Sequence, residues 1–373
     1  MNNILMVFGT RPEVIKLFPV IIQLQQAGHN VILCNTEQQK ELSNQTLDMF
    51  ELKSDYNLSV MRPNQSLAGT QARILTNLEN IVSQNKFDAI IVQGDTLSAF
   101  CGALNGFYNH IPVFHIEAGL RTNDIEEPFP EEAFRQMIAC ISTLHFTPSI
   151  QAKNNLLREG ISKEIVHVTG NTIVDTLEYY KQNLKSCSER KLQDKKIQLD
   201  NKNILVTVHR RENHLKMHRI LSAIKKVALN FPQFREIVLV HPNPNVGAVI
   251  RQELSNIKNV LLLDPLNYDE LIGLMCQSAL IMTDSGGIQE EAAYLGIPTV
   301  ILRDKTERQE ILKYPNIRLA GTNPDDIYTS AVRFLNTSEK STCRRNIYGT
   351  GKAAEKIIHN IDAFFSSQKN EHR

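Results

Sequence analysis

From residue 4 onward the chain alternates short apolar runs with longer stretches of helical periodicity. Residues 4–8, 31–34, 89–92, 113–116, 144–146 and 165–168 read as strands, and strands that alternate with helices predict a parallel sheet wrapped on both faces over residues 1–170. Residues 181–202 change character, being rich in Lys, Gln, Ser and Asp with few apolar anchors, so residues 171–202 read as a connecting helix and a linker. The alternation restarts at 204–208, 237–240, 260–263, 280–283 and 299–302, predicting a second doubly wound domain over residues 203–348. Residues 349–373 carry a terminal helix, ending near Phe365, that returns toward the N-terminal domain. The fold class is therefore α/β, with two doubly wound, Rossmann-like parallel sheets facing a cleft. Open sheets of this kind bind ligands beyond the carboxyl ends of their strands, so chemistry is expected just after strands.

The polar clusters fall there. Thr283-Asp284-Ser285-Gly286-Gly287-Ile288-Gln289-Glu290-Glu291 reads strand, tight turn, helix. Ser285, Gly286 and Gly287 sit where unpaired N–H groups and the positive end of a helix dipole suit phosphate, and Glu290 and Glu291 suit ribose hydroxyls. Gly9-Thr10-Arg11-Pro12-Glu13 has capping-box spacing and presents Arg11; Lys16, about one turn on, offers a second cation for a diphosphate. Asp95, Glu117 and Glu131 are carboxylates after separate strands or a Pro-Phe-Pro approach, and carboxylates gathered at one rim acquire the spread of pKa values that acid–base work needs. His209-Arg210-Arg211 opens the second domain and suits anions or proton exchange. Arg308 follows the last strong strand. Capped surface helices and solvated turns are the competing reading of each motif taken singly.

Composition narrows the class. The 373 residues hold 41 Lys and Arg against 40 Asp and Glu, so bulk charge favours neither nucleic acid nor an anionic membrane as a partner. Six scattered cysteines, with no CxxC pair, fit a reduced, cytoplasmic protein without a zinc site or disulfide framework. The first residues lack the basic stretch of a signal peptide, and no apolar run approaches spanning length. Gly349-Thr350-Gly351-Lys352-Ala353-Ala354 matches a loose dinucleotide fingerprint, but no strand precedes it, so it reads as a turn.

Taken in order, Gly9 to Glu13, Gln93-Gly94-Asp95-Thr96, His115-Ile116-Glu117-Ala118-Gly119-Leu120-Arg121, Pro130-Glu131-Glu132, His209 to Asn213, Thr283 to Glu291 and Thr306-Glu307-Arg308 closely resemble the non-hydrolysing bacterial UDP-N-acetylglucosamine 2-epimerases. The resemblance implies a glycosyltransferase-B-like fold, a homodimer, and reversible conversion of UDP-N-acetylglucosamine to UDP-N-acetylmannosamine for surface polysaccharide synthesis, with no metal or cofactor. It implies proton transfer by Asp95, Glu117 and Glu131, an important histidine at His209, a diphosphate held by Arg11, Ser285 and Gly286, a ribose on Glu291, and support from Arg308. It places Lys16 on the family's lysine. It also implies an allosteric substrate site that draws on Gln38, Glu41, the Asn64-Gln65 stretch and His241. Beside the analogy stands a chemical argument. The C–H bond at C2 has no neighbouring carbonyl to acidify it, and hydride removal would need a nicotinamide site that the motifs do not supply. Elimination of UDP from C1 with proton loss at C2, then re-addition, is the remaining route. A hydrolysing epimerase, a glycosyltransferase of the same architecture and a nucleotide-sugar sensor remain open on sequence.

Overall fold

The computed structural model describes residues 1–62, 65–240, 243–336 and 347–371; Asn64, His241 and Cys343 lie outside them. The chain forms two compact units, one of Met1–Glu178 with Tyr348–Arg373 and one of Tyr179–Ile347.

The first unit is built on strands β1 (Asn3–Phe8), β2 (Asn30–Asn35), β3 (Tyr56–Asn57), β4 (Ala89–Gln93), β5 (Val113–Ile116), β6 (Leu144–Thr147) and β7 (Val166–Val168). They pair in parallel in the order β3-β2-β1-β4-β5-β6-β7. Successive side chains point to opposite faces, so both faces must be covered. Leu5, Val7, Ile90 and Val92 pack with Ile74, Leu78, Phe100 and Phe134 from helices. Phe114 instead meets Phe364 and Phe365 edge-on, from the terminal helix Ala353–Glu371. That helix runs past the expected end at Phe365, and the Asp175 carboxylate caps it by accepting from Ala353 N (3.2 Å) and Ala354 N (3.0 Å). Its glycine-rich approach is thus a turn into a helix whose start is already occupied by a carboxylate.

The second unit repeats the plan with β8 (Asn203–Thr207), β9 (Arg235–Leu239), β10 (Val260–Leu263), β11 (Ser278–Thr283), β12 (Thr299–Ile301) and β13 (Ile317–Leu319). The parallel order is β10-β9-β8-β11-β12-β13. Its core joins Ile204, Val206, Leu280, Met282 and Val300 to Ile220, Ile224 and Val227 on one helix and Ile327 and Ala331 on another. In both sheets the strand order reverses once, between β1 and β4 and between β8 and β11. Chains leave such a pair of strands in opposite directions and leave a crevice at their carboxyl ends.

Residues 181–202 differ from the expected tail and linker. A helix Thr172–Asn183 crosses the boundary between the units, and a further helix, Lys185–Asp194, follows it. The second helix docks by Ser188 and Leu192 against Gly273, where a Cβ would come within 2.9 Å of Ser188 Oγ and 3.0 Å of Leu192 Cδ1. Lys191 bonds Asp269 at 2.7 Å and Lys195 bonds Glu270 at 2.9 Å. Docking through a glycine on the partner helix needs few apolar anchors, which is why hydrophobic periodicity did not reveal it.

One buried group works against the second core. Glu236 on β9 is fully buried, and neither carboxyl oxygen has a hydrogen-bond partner among the described residues. Burial raises its pKa well above 4.5, so the side chain resists ionisation. Its folded pKa exceeds the unfolded one; the penalty is absent below the unfolded value and grows as pH rises through the window between the two. Glu236→Met keeps the volume and removes the polar group, so it should stabilise the protein by about 1–3 kcal/mol at neutral pH and less in acid. Thermal melting of both proteins at acidic and neutral pH checks this, and an equal melting difference at both would refute it.

Candidate active site

At the reversal point of the first sheet, β1 runs into Gly9 and Thr10 and then the helix Arg11–Gln26. Glu13 folds back under this turn, accepting from Gly9 N (3.0 Å) and Thr10 N (2.9 Å) as the glutamate half of a capping box. Its second oxygen accepts the Thr96 hydroxyl at 2.7 Å. Burial pushes the Glu13 carboxyl up to about 7 against the opposing pull of Thr96, Gly9 and Thr10. Arg11 opens the helix half-buried, with its main-chain N–H donating to Gln39 Oε1 at 3.2 Å.

The neighbouring strand, β4, is followed by Gly94 and Asp95. Asp95 is ion-paired to Arg135, which is buried and bonds Glu132 at 2.8 Å. Glu132 in turn accepts from Thr122 N (3.1 Å) and Asn123 N (3.3 Å). Glu131, the expected third carboxylate, stands half-buried at the start of helix Glu131–Ile141; the ion pair to Arg135 belongs to its neighbour Glu132. Adjacent β5 delivers Glu117 in a left-handed conformation, with φ of 64°. The buried Lys16 ammonium is ion-paired to Glu117, and Asn171 Nδ2 approaches the same oxygen at 3.4 Å. Lys16 thus faces Glu117, while Arg11 stands at the helix start. Five residues along a helix turn about 140° around its axis, so the two cations face different ways. His115 Nε2 and Gly94 O lie 2.8 Å apart, and desolvation with the neighbouring His145 lowers the His115 pKa to about 3, which keeps the ring neutral and donating.

The reversal point of the second sheet gathers the remaining candidates. β8 ends before His209 and Arg210, and β11 before Asp284 and Ser285. Fully buried Asp284 accepts from His209 N (3.0 Å), Arg210 N (2.9 Å) and Asn213 Nδ2 (2.9 Å), and His209 Nδ1 lies 3.5 Å from its other oxygen. Ser285 leads into helix Gly286–Leu295 and makes no side-chain cap, so the first N–H groups have no side-chain partner at Ser285. A Cβ on Gly287 would meet nothing within 4 Å, whereas one on Gly286 would come within 2.8 Å of Arg308 Nη1. Arg308 is buried between Glu290 (2.8 Å) and Glu307, and Glu307 bonds fully buried Arg303 at 2.9 Å. Of the two glutamates read as ribose partners, Glu290 thus serves Arg308; Glu291 is buried one position on.

Of the allosteric candidates, Gln38 accepts from Ser98 Oγ at 3.0 Å, and Glu41 is exposed in the first turn of helix Lys40–Met49. Gln65 closes its own loop, accepting from Arg62 N at 2.8 Å and bonding Arg73. Sequence reasoning did not assign Asp284, Arg135, Glu132, Asn171, Asn213 or Arg303. Their partners lie in distant segments or, for Glu132 and Arg135, on a helix turn that looks like ordinary surface charge. No group of three or more potential metal ligands occurs among the described residues, and no described helix is long and apolar enough to cross a membrane.

Two parallel sheets whose reversal points carry an open helix start in one unit and cation-paired carboxylates in the other define a glycosyltransferase-B-like protein built for a nucleotide-linked substrate. A glycosyltransferase associated with kitacinnamycin shares that fold, with a TM-score of 0.64 at 14% identity over 96% of this chain and 98% of the other. The family model for UDP-N-acetylglucosamine 2-epimerase matches residues 23–362. The chain belongs to that family. It is 41% identical to the UDP-N-acetylglucosamine 2-epimerase of Neisseria meningitidis serogroup A, over 96% of this chain and 99% of that one. The crystal structure of the Neisseria meningitidis enzyme bound to UDP-GlcNAc superposes with a TM-score of 0.92 at 40% identity, covering 96% and 99% of the two chains.

Proposed function

We propose that this chain interconverts UDP-N-acetylglucosamine and UDP-N-acetylmannosamine by inverting C2, through elimination and re-addition of UDP. Full-length likeness to curated 2-epimerases supports the reaction. The observation that carries the mechanism is the pair of carboxylates at adjacent strand ends, Asp95 on Arg135 and Glu117 on Lys16, each ion-paired to its own buried cation. A base must take the C2 proton as UDP leaves C1, and an acid must return a proton to the other face. Asp95, Glu117, Glu131 and His209 are the groups we assign to this exchange. Arginine keeps its charge, whereas the Lys16 ammonium has a transferable proton, so the two pairs are chemically unequal.

UDP is assigned to the second unit. The diphosphate is assigned to the start of helix Gly286–Leu295 at Ser285, Gly286 and Gly287, with Arg210 and Arg308 as cations and Glu291 on the ribose, and Arg11 is the diphosphate candidate of the first unit. The active form is taken to be a cytoplasmic homodimer, its product supplying surface polysaccharide synthesis, and Gln38, Glu41, Gln65 and His241 to belong to a second, regulatory substrate site. No metal or cofactor is assigned a step.

Proton NMR of the purified protein with UDP-N-acetylglucosamine in D2O tests the reaction. UDP-N-acetylmannosamine carrying deuterium at C2 is the expected product. Free N-acetylmannosamine with UDP would replace this reading by the hydrolysing one, and an unchanged spectrum under all substrate concentrations would overturn it.

A further inference from the structure

Glu13 stands apart from the groups assigned to the reaction, yet it occupies the crossing point of two of them. It is 1% exposed, although it lies in the first turn of a helix, where a capping glutamate ordinarily faces water. One of its oxygens receives Gly9 N and Thr10 N, the two peptide groups immediately ahead of Arg11. The other receives the hydroxyl of Thr96, the residue immediately after Asp95. Thr96 in turn accepts from Ala99 N at 3.0 Å and caps the helix Leu97–Tyr108. Two helix starts, on neighbouring strands of the sheet, are thereby tied through a single carboxylate.

The backbone leaves little slack around this tie. A Cβ on Gly9 would fall within 1.9 Å of Thr36 Oγ1 and 2.5 Å of Ser98 Oγ, so the turn is seated against the residue that follows β2 and the first turn of helix Leu97–Tyr108. A capping box needs only the contact to its own N-cap peptide. The bond to Thr96, 83 residues away in sequence, adds nothing to the cap of helix Arg11–Gln26.

We infer that Glu13 is a positioning residue for the epimerisation, setting the place of Asp95 relative to the Arg11 turn through the Thr96 hydroxyl. The inference rests on the assignment of Asp95 made above. A carboxylate that accepts three donors from two segments fixes both, and displacement of a reacting group by as little as 1 Å lowers rates by about 10²-fold.

The test separates the tie from the cap. Thr96→Asp retains an oxygen that caps helix Leu97–Tyr108 as well as threonine does, but it has no proton to donate to Glu13 and repels it. Thr96→Ser keeps both functions. In the D2O assay, Thr96→Asp should lose about tenfold or more in kcat, with UDP affinity measured by calorimetry unchanged, while Thr96→Ser turns over like the parent. Glu13→Gln still accepts from Gly9 and Thr10 and can donate its amide to the Thr96 oxygen, so it keeps the tie with the direction reversed and should stay within a few-fold of the parent in kcat. Parent-like kcat in Thr96→Asp, or losses in kcat that track the melting temperature across the three variants, would overturn the inference. A parent protein that itself fails to epimerise would instead overturn the reaction assigned above, so the two failures are distinguishable.

Discussion

Asp95→Asn should abolish epimerisation to within measurement, a loss of about 10²–10⁴-fold from removal of one acid–base group, while UDP binds as it does to the parent. The substitution is nearly isosteric. Its amide oxygen still accepts from Arg135, and Arg135 keeps its bond to Glu132 at 2.8 Å, so the buried guanidinium is not stranded. What disappears is the negative charge and the capacity to take up a proton. The groups assigned to UDP in the second unit, Ser285, Gly286, Gly287, Glu291 and Arg308, are untouched. Single-turnover deuterium exchange at C2, with UDP affinity from calorimetry on the same preparation, reads both quantities. Normal exchange in Asp95→Asn would reduce Asp95 to a structural partner of Arg135 and move the proton chemistry to Glu117 and its lysine.

Much of this arrangement was legible in the sequence, for a definite reason. Strands buried on both faces appear as largely apolar runs, so β1, β4, β5, β8 and β11 stand out, and most of the residues we assign to the chemistry lie just after them. The two- and three-residue edge strands Tyr56–Asn57 and Ile317–Leu319 carry too few side chains for any periodicity. The helix Lys185–Asp194 hid because its fit depends on the absence of a side chain at Gly273. Partnerships were harder still to see. Asp284 was visible only as a neighbour of Ser285, since its role is to receive main-chain N–H groups 74 and 75 residues away, which no local spacing encodes. Lys16 was read toward phosphate from its place one turn after Arg11, whereas its ion pair to Glu117, 101 residues on, is one that no local spacing encodes. Residue type and strand-end position thus pointed to the candidates, while their charge pairing came only from packing.

The seating of the diphosphate makes an equally sharp prediction. Gly287→Ala should leave the fold intact or slightly more stable, yet weaken UDP binding by ~10²-fold. Alanine is favoured over glycine within helices by about 1 kcal/mol, and a Cβ on Gly287 meets no protein atom within 4 Å. Nothing in the second unit therefore resists the methyl group. A phosphate drawn to the first N–H groups of helix Gly286–Leu295, seated in the open space beside Gly287, would resist it. Gly286→Ala behaves differently: its Cβ would come within 2.8 Å of Arg308 Nη1 and 3.2 Å of Glu307 Oε1, and Arg308 is held by Glu290 and Glu307 and is not free to retreat. That variant should lose stability as well as affinity. Melting curves and UDP titrations of the two variants decide the matter: a stable Gly287→Ala protein with impaired binding places the diphosphate on this helix, and a stable one with parent affinity would place it elsewhere.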